Sequence, residues 1–295
     1  MSFIITTESN SEIPFAWEDQ NDFSVLRMPY TYNDKEYCYD LGRNTDLGAF
    51  FKQMRNGVTV TTAQRNPSEI VDYFEPYLKK GLDILHIAFS SKLSGTFNNE
   101  MIAREELLNR YPDRRIELID TLAISMPLGQ IVGVAFEMRR AGKSMDDIRD
   151  WVEANKMRSC SLFAVDSLEY LRRGGRITNT AAVFGTALQI KPILSVGPCG
   201  MIVPVSKIKG RKKAIKHILD KCAETIDKPE EQTVYVCHAD CLDEAVLLKE
   251  KIEEVIGPRA VAINPIGPVI GAHCGPGTLA IVYFGRSRDE LLEQA

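Results

Sequence analysis

The chain has 295 residues, 44% of them hydrophobic and 26% charged, with a formal net charge of -4. That is ordinary globular usage and enough length for two modest α/β domains with a cleft between them, and it argues against long disorder or a fibrous repeat. The acidic balance argues against a general nucleic-acid binder, whose backbone contacts come from excess Lys and Arg.

Phe3-Ile4-Ile5-Thr6 is a short β-type run with no basic n-region and apolar h-region, so no signal peptide is expected. No uninterrupted apolar run reaches the roughly 20 residues that a bilayer crossing needs. Seven cysteines without a C-x-x-C pair fit a reducing compartment, so a cytoplasmic protein is expected. Thr59-Val60-Thr61-Thr62-Ala63-Gln64 lies between a helical segment and Pro67, which predicts a βα-type loop of the kind where α/β folds place ligand sites. The same threonine-rich segment also suits a purely structural β run.

From Pro67 to Gly81, Ile70, Val71, Phe74 and Leu78 fall on one helical face, and Asp83 to Phe89 follows as a strand. Next come Ser90-Ser91-Lys92-Leu93-Ser94-Gly95-Thr96 and a helical pattern from Phe97 to Asn109. Hydroxyls and free N–H groups thus gather at a helix N-terminus, where an anion is favoured, although on this segment alone plain N-capping by Ser94 is the simpler reading. A strand at Arg115 to Asp120 and a polar helix from Ser144 to Lys156 complete a run of βαβ units.

A second region opens with the strand Cys160 to Val165, followed by Leu171-Arg172-Arg173-Gly174-Gly175-Arg176-Ile177, three cations around a Gly-Gly turn. Lys191 to Val196 and Met201 to Val205 read as a hairpin across Gly197-Pro198-Cys199-Gly200, so this sheet must be mixed. Lys207, Lys209, Arg211, Lys212 and Lys213 form another basic group at the start of a helix. Basic runs are commonly solvated faces; on one side of the molecule, the two groups make a docking surface for an acidic or nucleotide-bearing partner. A strand Thr233 to Cys237, a helix Asp243 to Val255, and strands Ala260 to Ile263 and Leu279 to Phe284 follow.

Between the last two strands, glycine and proline frame one histidine in Ile266 to Gly277. This predicts a loop whose His273 either meets a carboxylate or bonds nearby carbonyls. Cys237-His238-Ala239-Asp240-Cys241 lacks the second pair that a zinc site needs. Cys274 beside His273 on an extended segment would point to the opposite face, which argues against a thiol-base pair. No phosphate-binding loop fingerprint is present, which argues against a kinase.

In order along the chain, Thr62-Ala63-Gln64, Leu93-Ser94-Gly95-Thr96, Asp120-Thr121 with Ser125, Leu171 to Ile177, Lys191-Pro192-Ile193-Leu194, and Ile270 to Gly277 resemble the DegV family of bacterial fatty-acid-binding proteins, of the FakB type. The resemblance implies an α/β fold of two lobes, residues 1–157 and 158–295. The first is a three-layer α/β/α lobe with a mainly parallel sheet, the second a two-layer lobe with a mixed sheet, and the lipid lies between them. It implies that Thr62, Ser94, Gly95, Ser125 and His273 hold a fatty-acid carboxylate. By the same resemblance Arg172, Arg173, Arg176 and Arg211 face a separate fatty acid kinase that makes the acyl phosphate. No cofactor, metal or catalytic residue is implied; the partners are a long-chain fatty acid and that kinase, not nucleic acid, and transient membrane contact is compatible with the role. Two departures stand out: Thr7-Glu8-Ser9 where the family has Thr-Asp-Ser, and Ala63 where a serine is usual.

Physical chemistry agrees with that task. An acyl chain of about 16 carbons at roughly 0.8 kcal/mol per buried CH₂ offers on the order of 12 kcal/mol before binding entropy is counted. Hydroxyls and an imidazole would offset desolvation of the carboxylate without a permanent Lys or Arg in the pocket. Two other readings remain at this point: a lipid-ester hydrolase with Ser94 as nucleophile and His273 as base, and a phosphoryl-transfer subunit, since the family's lobes resemble part of dihydroxyacetone kinase.

Overall fold

A computed structural model describes residues 2–19, 23–177 and 190–293. β1 (Phe3–Glu8) is buried at every position, with strands on both edges, so Phe3, Ile4 and Ile5 run consecutively without polar alternation. β2 (Phe23–Leu26) lies parallel to it. β3 (Pro29–Tyr32) and β4 (Lys35–Cys38) form an antiparallel hairpin. Its two-residue turn, Asn33-Asp34, has φ of 50° and 56°, which matches the right-handed twist of the flanking strands. α1 (Leu47–Arg55), capped by the Asp46 carboxylate, leads to β5 (Thr61–Thr62).

Here the structure differs from the sequence reading. Thr61 and Thr62 are not in a loop of the main sheet; they pair antiparallel with β3, at Thr31 and Tyr30, in a separate sheet of order β4-β3-β5.

α2 (Pro67–Lys79) begins in a capping box between Asn66 and Glu69 and buries the four apolar residues expected of it. β6 (Asp83–Ala88), α3 (Thr96–Arg110), β7 (Ile116–Asp120), α4 (Ser125–Arg140) and α5 (Met145–Asn155) follow. The resulting sheet, order β2-β1-β6-β7, is parallel throughout. α2 and α3 cover one face and α4 and α5 the other, the three-layer arrangement expected.

Among the described residues the next strands and α-helices are β8 (Ser159–Ala164), α6 (Glu169–Arg173), β9 (Ile190–Val196), β10 (Ile202–Lys209) and α7 (Arg211–Thr225). β11 (Thr233–His238), α8 (Leu242–Val255), β12 (Ala260–Pro265), α9 (Pro268–Cys274), β13 (Leu279–Phe284) and α10 (Arg288–Glu293) then follow. The second sheet has order β10-β9-β8-β13-β11-β12 and is mixed: β11 and β12 are parallel, and its other pairs antiparallel. α7 and α8 cover one face of it. The other face meets α4, so one helix is shared by both sheets and sets their spacing. Among the described residues no helix is long and apolar enough to cross a membrane.

The glycine- and proline-framed stretch is not a loop throughout, because it contains α9. Pro268 fills the first helical position, where no N–H bond is lost, and Gly275, with φ of 78°, ends the helix. The side chain of Tyr170 lies where a Cβ on Gly275 would stand, so only glycine fits that turn.

Candidate functional site

A cavity of about 440 Å³ lies between the two sheets. Met28, Phe89, Leu93 and Ile124 line it from the first part of the chain, and Phe163, Leu171, Ile202, Val269, Ala280 and Val282 from the second. Most of the wall is therefore aliphatic or aromatic and favours an apolar occupant.

Polar groups also border the cavity. Thr62 arrives on β5, whose pairing with Tyr30 of β3 fixes its direction. His273 arrives in the last turn of α9, and its Nε2 lies 2.8 Å from the Thr62 hydroxyl. Ser94 and Gly95 sit where β6 passes into α3, and Ser125 opens α4. All five residues expected at a carboxylate thus border one cavity. Gly95, rather than Ser94, holds the N-cap position; the Ser94 hydroxyl donates to Thr96 Oγ1 at 3.0 Å and accepts the Thr96 N–H at 3.2 Å.

Burial, with help from Arg176 and Arg173, pushes the imidazole of His273 down to about 4. Near neutral pH it is uncharged, so it offers a hydrogen bond and not a counter-charge. Its Nδ1 has no hydrogen-bond partner and faces Gly174, where a Cβ would collide with it.

The permanent charge comes from elsewhere, against expectation. Arg176 stands in the cavity wall, half-buried, with Nε donating to Leu93 O at 3.1 Å and Nη1 to Gly174 O at 2.5 Å. Burial lowers its pKa, yet a guanidinium remains protonated at neutral pH. Its backbone-bonded geometry makes it part of the cavity and not a free surface cation.

The other arginines expected at a docking surface stand outside the cavity lining. Arg172 is exposed and pairs with Glu169 at 2.8 Å, and the exposed Arg173 lies 5.2 Å from the centre of the Tyr170 ring. Arg211 is held inward, donating to Glu244 Oε2 and to Gly277 O at 2.7 Å each. Tyr170 packs on Gly275 and Arg211 bonds Gly277, so α6 and α7 both contact the turn after α9.

Two further residues escaped the sequence reading. Asn10, 3% exposed, lines the cavity with an unpartnered Oδ1. Glu12, φ 61°, accepts the Gly267 N–H at 2.9 Å and so anchors the start of α9 to the segment after β1. The polar run Ser9-Asn10-Ser11-Glu12 directly after a strand is the signal for both, since strand ends carry sites in α/β folds.

Other chemistry finds little support in this geometry. The His273 ring nitrogens meet Thr62 on one side and no partner on the other, so the Ser94-His273 hydrolase arrangement lacks both its nucleophile contact and an orienting acid. Cys274 shares a helix turn with His273, not an extended segment as expected; burial pushes its thiol up to about 12, so it stays an inert thiol.

Comparison with known proteins bears on this geometry. A family model described as "Uncharacterised protein, DegV family" matches residues 2–286. A DegV domain-containing protein of Clostridium perfringens is 41% identical over 287 residues, covering 97% of this chain and 99% of that one. Another from Lactococcus lactis is 31% identical over 290 residues, covering 98% and 100%. Among solved structures, a DegV family protein of Thermus thermophilus described by its fatty acid binding superposes with TM-score 0.85 at 26% identity, over 97% of this chain and 100% of that one. DegV of Bacillus subtilis, described as a fatty acid binding protein, gives TM-score 0.82 at 27% identity over 97% and 100%.

Proposed function

The chain belongs to the DegV family, and on that premise we propose that it buries one long-chain fatty acid and presents its carboxylate to a separate kinase. The observation that carries this reading is the largely apolar cavity bordered by the Thr62–His273 pair. The acyl chain takes the apolar walls. The carboxylate takes hydroxyls from Thr62, Ser94 and Ser125, the N–H of Gly95, and the imidazole of His273, with Arg176 supplying the charge.

Each of these groups answers the cost of removing an ion from water. A neutral imidazole and hydroxyls bind by hydrogen bonds and release readily, whereas one guanidinium in the wall gives a direction to the site. In the proposed cycle a carboxylate oxygen attacks the terminal phosphorus of the kinase's nucleotide, the bond to the leaving nucleoside diphosphate breaks, and an acyl phosphate remains in the cavity. The kinase brings nucleotide and metal; this chain brings position and exclusion of water, so it has no turnover of its own. Arg172 and Arg173, on the exposed side of α6, are the first candidates for kinase contact, with Arg211 supporting the turn behind them. The role fits a cytoplasmic protein.

Native mass spectrometry of the purified chain, followed by denaturing extraction, tests this reading. One carboxylic acid with a long acyl chain per protein is expected. A ligand without a carboxyl group would contradict it.

A further inference from the structure

Away from the cavity, three ionisable side chains meet between the parallel sheet and α3. Glu8 ends β1, His86 lies on the neighbouring β6, and Glu100 reaches the same face from the second turn of α3. All three are 0% exposed, and one ligand-type atom from each lies within 4.8 Å of the others. The sequence reading places no metal here, because the three are far apart along the chain and form no spaced motif.

Their hydrogen bonds divide the available atoms in a specific way. The Thr6 hydroxyl meets His86 Nδ1 at 2.9 Å, which turns Nε2 toward Glu100 Oε1 at 3.0 Å. The Phe89 N–H donates to Glu8 Oε2 at 3.2 Å. Glu8 Oε1 and Glu100 Oε2 are buried and receive no N–H or hydroxyl from any other residue, which leaves the two carboxyls only each other. Burial raises the carboxyls of Glu8 and Glu100 above their ordinary values and lowers the imidazole of His86 below its own.

Buried polar atoms are almost always satisfied, and two orphan carboxylate oxygens beside one imidazole nitrogen are an exception that requires a reason. A divalent cation supplies it: two carboxylates cancel its charge, and the orphan oxygens become ligands. One nitrogen and two carboxylate oxygens form a set suited to zinc or manganese(II), and too few oxygens for calcium. Outer groups that orient ligands are typical of such sites, and Thr6 and the Phe89 N–H already hold His86 and Glu8.

We propose that Glu8, His86 and Glu100 form a structural site for a divalent first-row transition metal, oriented by Thr6 and the Phe89 N–H. The metal joins β1, β6 and α3, and α3 begins at the Ser94-Gly95 end of the cavity. Occupancy therefore stiffens that end without touching a ligand.

The test uses the full chain, purified without chelator and analysed for metal content. The chain is then stripped and titrated separately with zinc chloride and manganese chloride while Tm is followed. About one metal per chain, with Tm rising by about 5 °C or more, is expected. The rise must vanish in Glu100→Gln and His86→Gln and persist in the control Cys38→Ser, whose exposed thiol is an alternative zinc ligand. No retained metal, or a rise equal in wild type and Glu100→Gln, overturns the proposal and leaves a proton-sharing cluster. Should both variants fail to fold, cobalt(II) loading of the wild type decides: visible absorption bands of a coordinated ion at one equivalent support the site, and their absence overturns it.

Discussion

The Thr62 hydroxyl and His273 Nε2 lie 2.8 Å apart although 211 positions separate them in the chain. That contact joins the small β4-β3-β5 sheet to the short helix α9, at the edge of the cavity. With Gly174 against the opposite ring nitrogen, His273 is held from both sides.

Thr62→Val keeps the shape of the side chain and removes its hydroxyl. Losing one hydrogen bond to a charged ligand and unpairing His273 should cost about 1–2 kcal/mol, or about 5- to 30-fold in fatty-acid affinity. A fluorescent fatty-acid displacement titration measures this. Unchanged affinity would remove Thr62 from the site.

Gly174→Ala places a methyl group where His273 Nδ1 stands, so the ring must swing away from Thr62. Affinity should fall at least as far as in Thr62→Val, with a smaller change in thermal stability, because Gly174 lies at the surface end of α6. The same titration, paired with a melting curve, distinguishes displacement of the ring from general unfolding.

The arginines should separate by role. Arg176→Ala removes a cation from the cavity wall and should weaken fatty-acid binding, whereas Arg172→Ala and Arg173→Ala, both exposed, should leave binding intact and slow the partner kinase. Binding and kinase turnover measured on the three variants check this. Equal loss of both activities in all three would contradict the division.

Burial pushes the Glu12 carboxyl up from 4.5 to about 8. In the unfolded chain it ionises near 4.5 and in the fold only near 8, so between those values the folded state holds the extra proton. The stabilising effect is full below the lower value and is lost as pH rises to the upper one, at up to ~1.4 kcal/mol per pH unit. Glu12→Gln keeps an acceptor for the Gly267 N–H and removes the ionisation. Urea unfolding at about pH 5 and about pH 8 should show wild type losing stability relative to the variant as pH rises. Parallel pH dependence of the two would contradict the burial argument.

The strands that the sequence reveals are those with continuous apolar runs, such as Asp83 to Ala88 and Leu279 to Phe284, because both faces of each are covered. β3 and β4 escape that reading, since Tyr30, Tyr32 and Tyr37 alternate with polar residues over only four positions per strand. The Asn33-Asp34 pair is their one local signal. At the site, residue types drew attention to Thr62, Ser94 and His273, but not to the state of each. Whether Arg176 faces solvent or the cavity, and whether His273 is charged, depends on burial that only the assembled fold creates. Glu8, His86 and Glu100 were silent for the same reason: parallel pairing of β1 with β6 and packing of α3 bring them together.

The central claim is an apolar cavity that receives a carboxylate at Thr62, Ser94 and His273. Isothermal titration of delipidated protein with palmitic acid and with its methyl ester tests it most directly. The account predicts one acid bound per chain, at least about tenfold tighter than the ester, with the preference reduced in Thr62→Val. Equal affinity for acid and ester, or no binding of either, would contradict it.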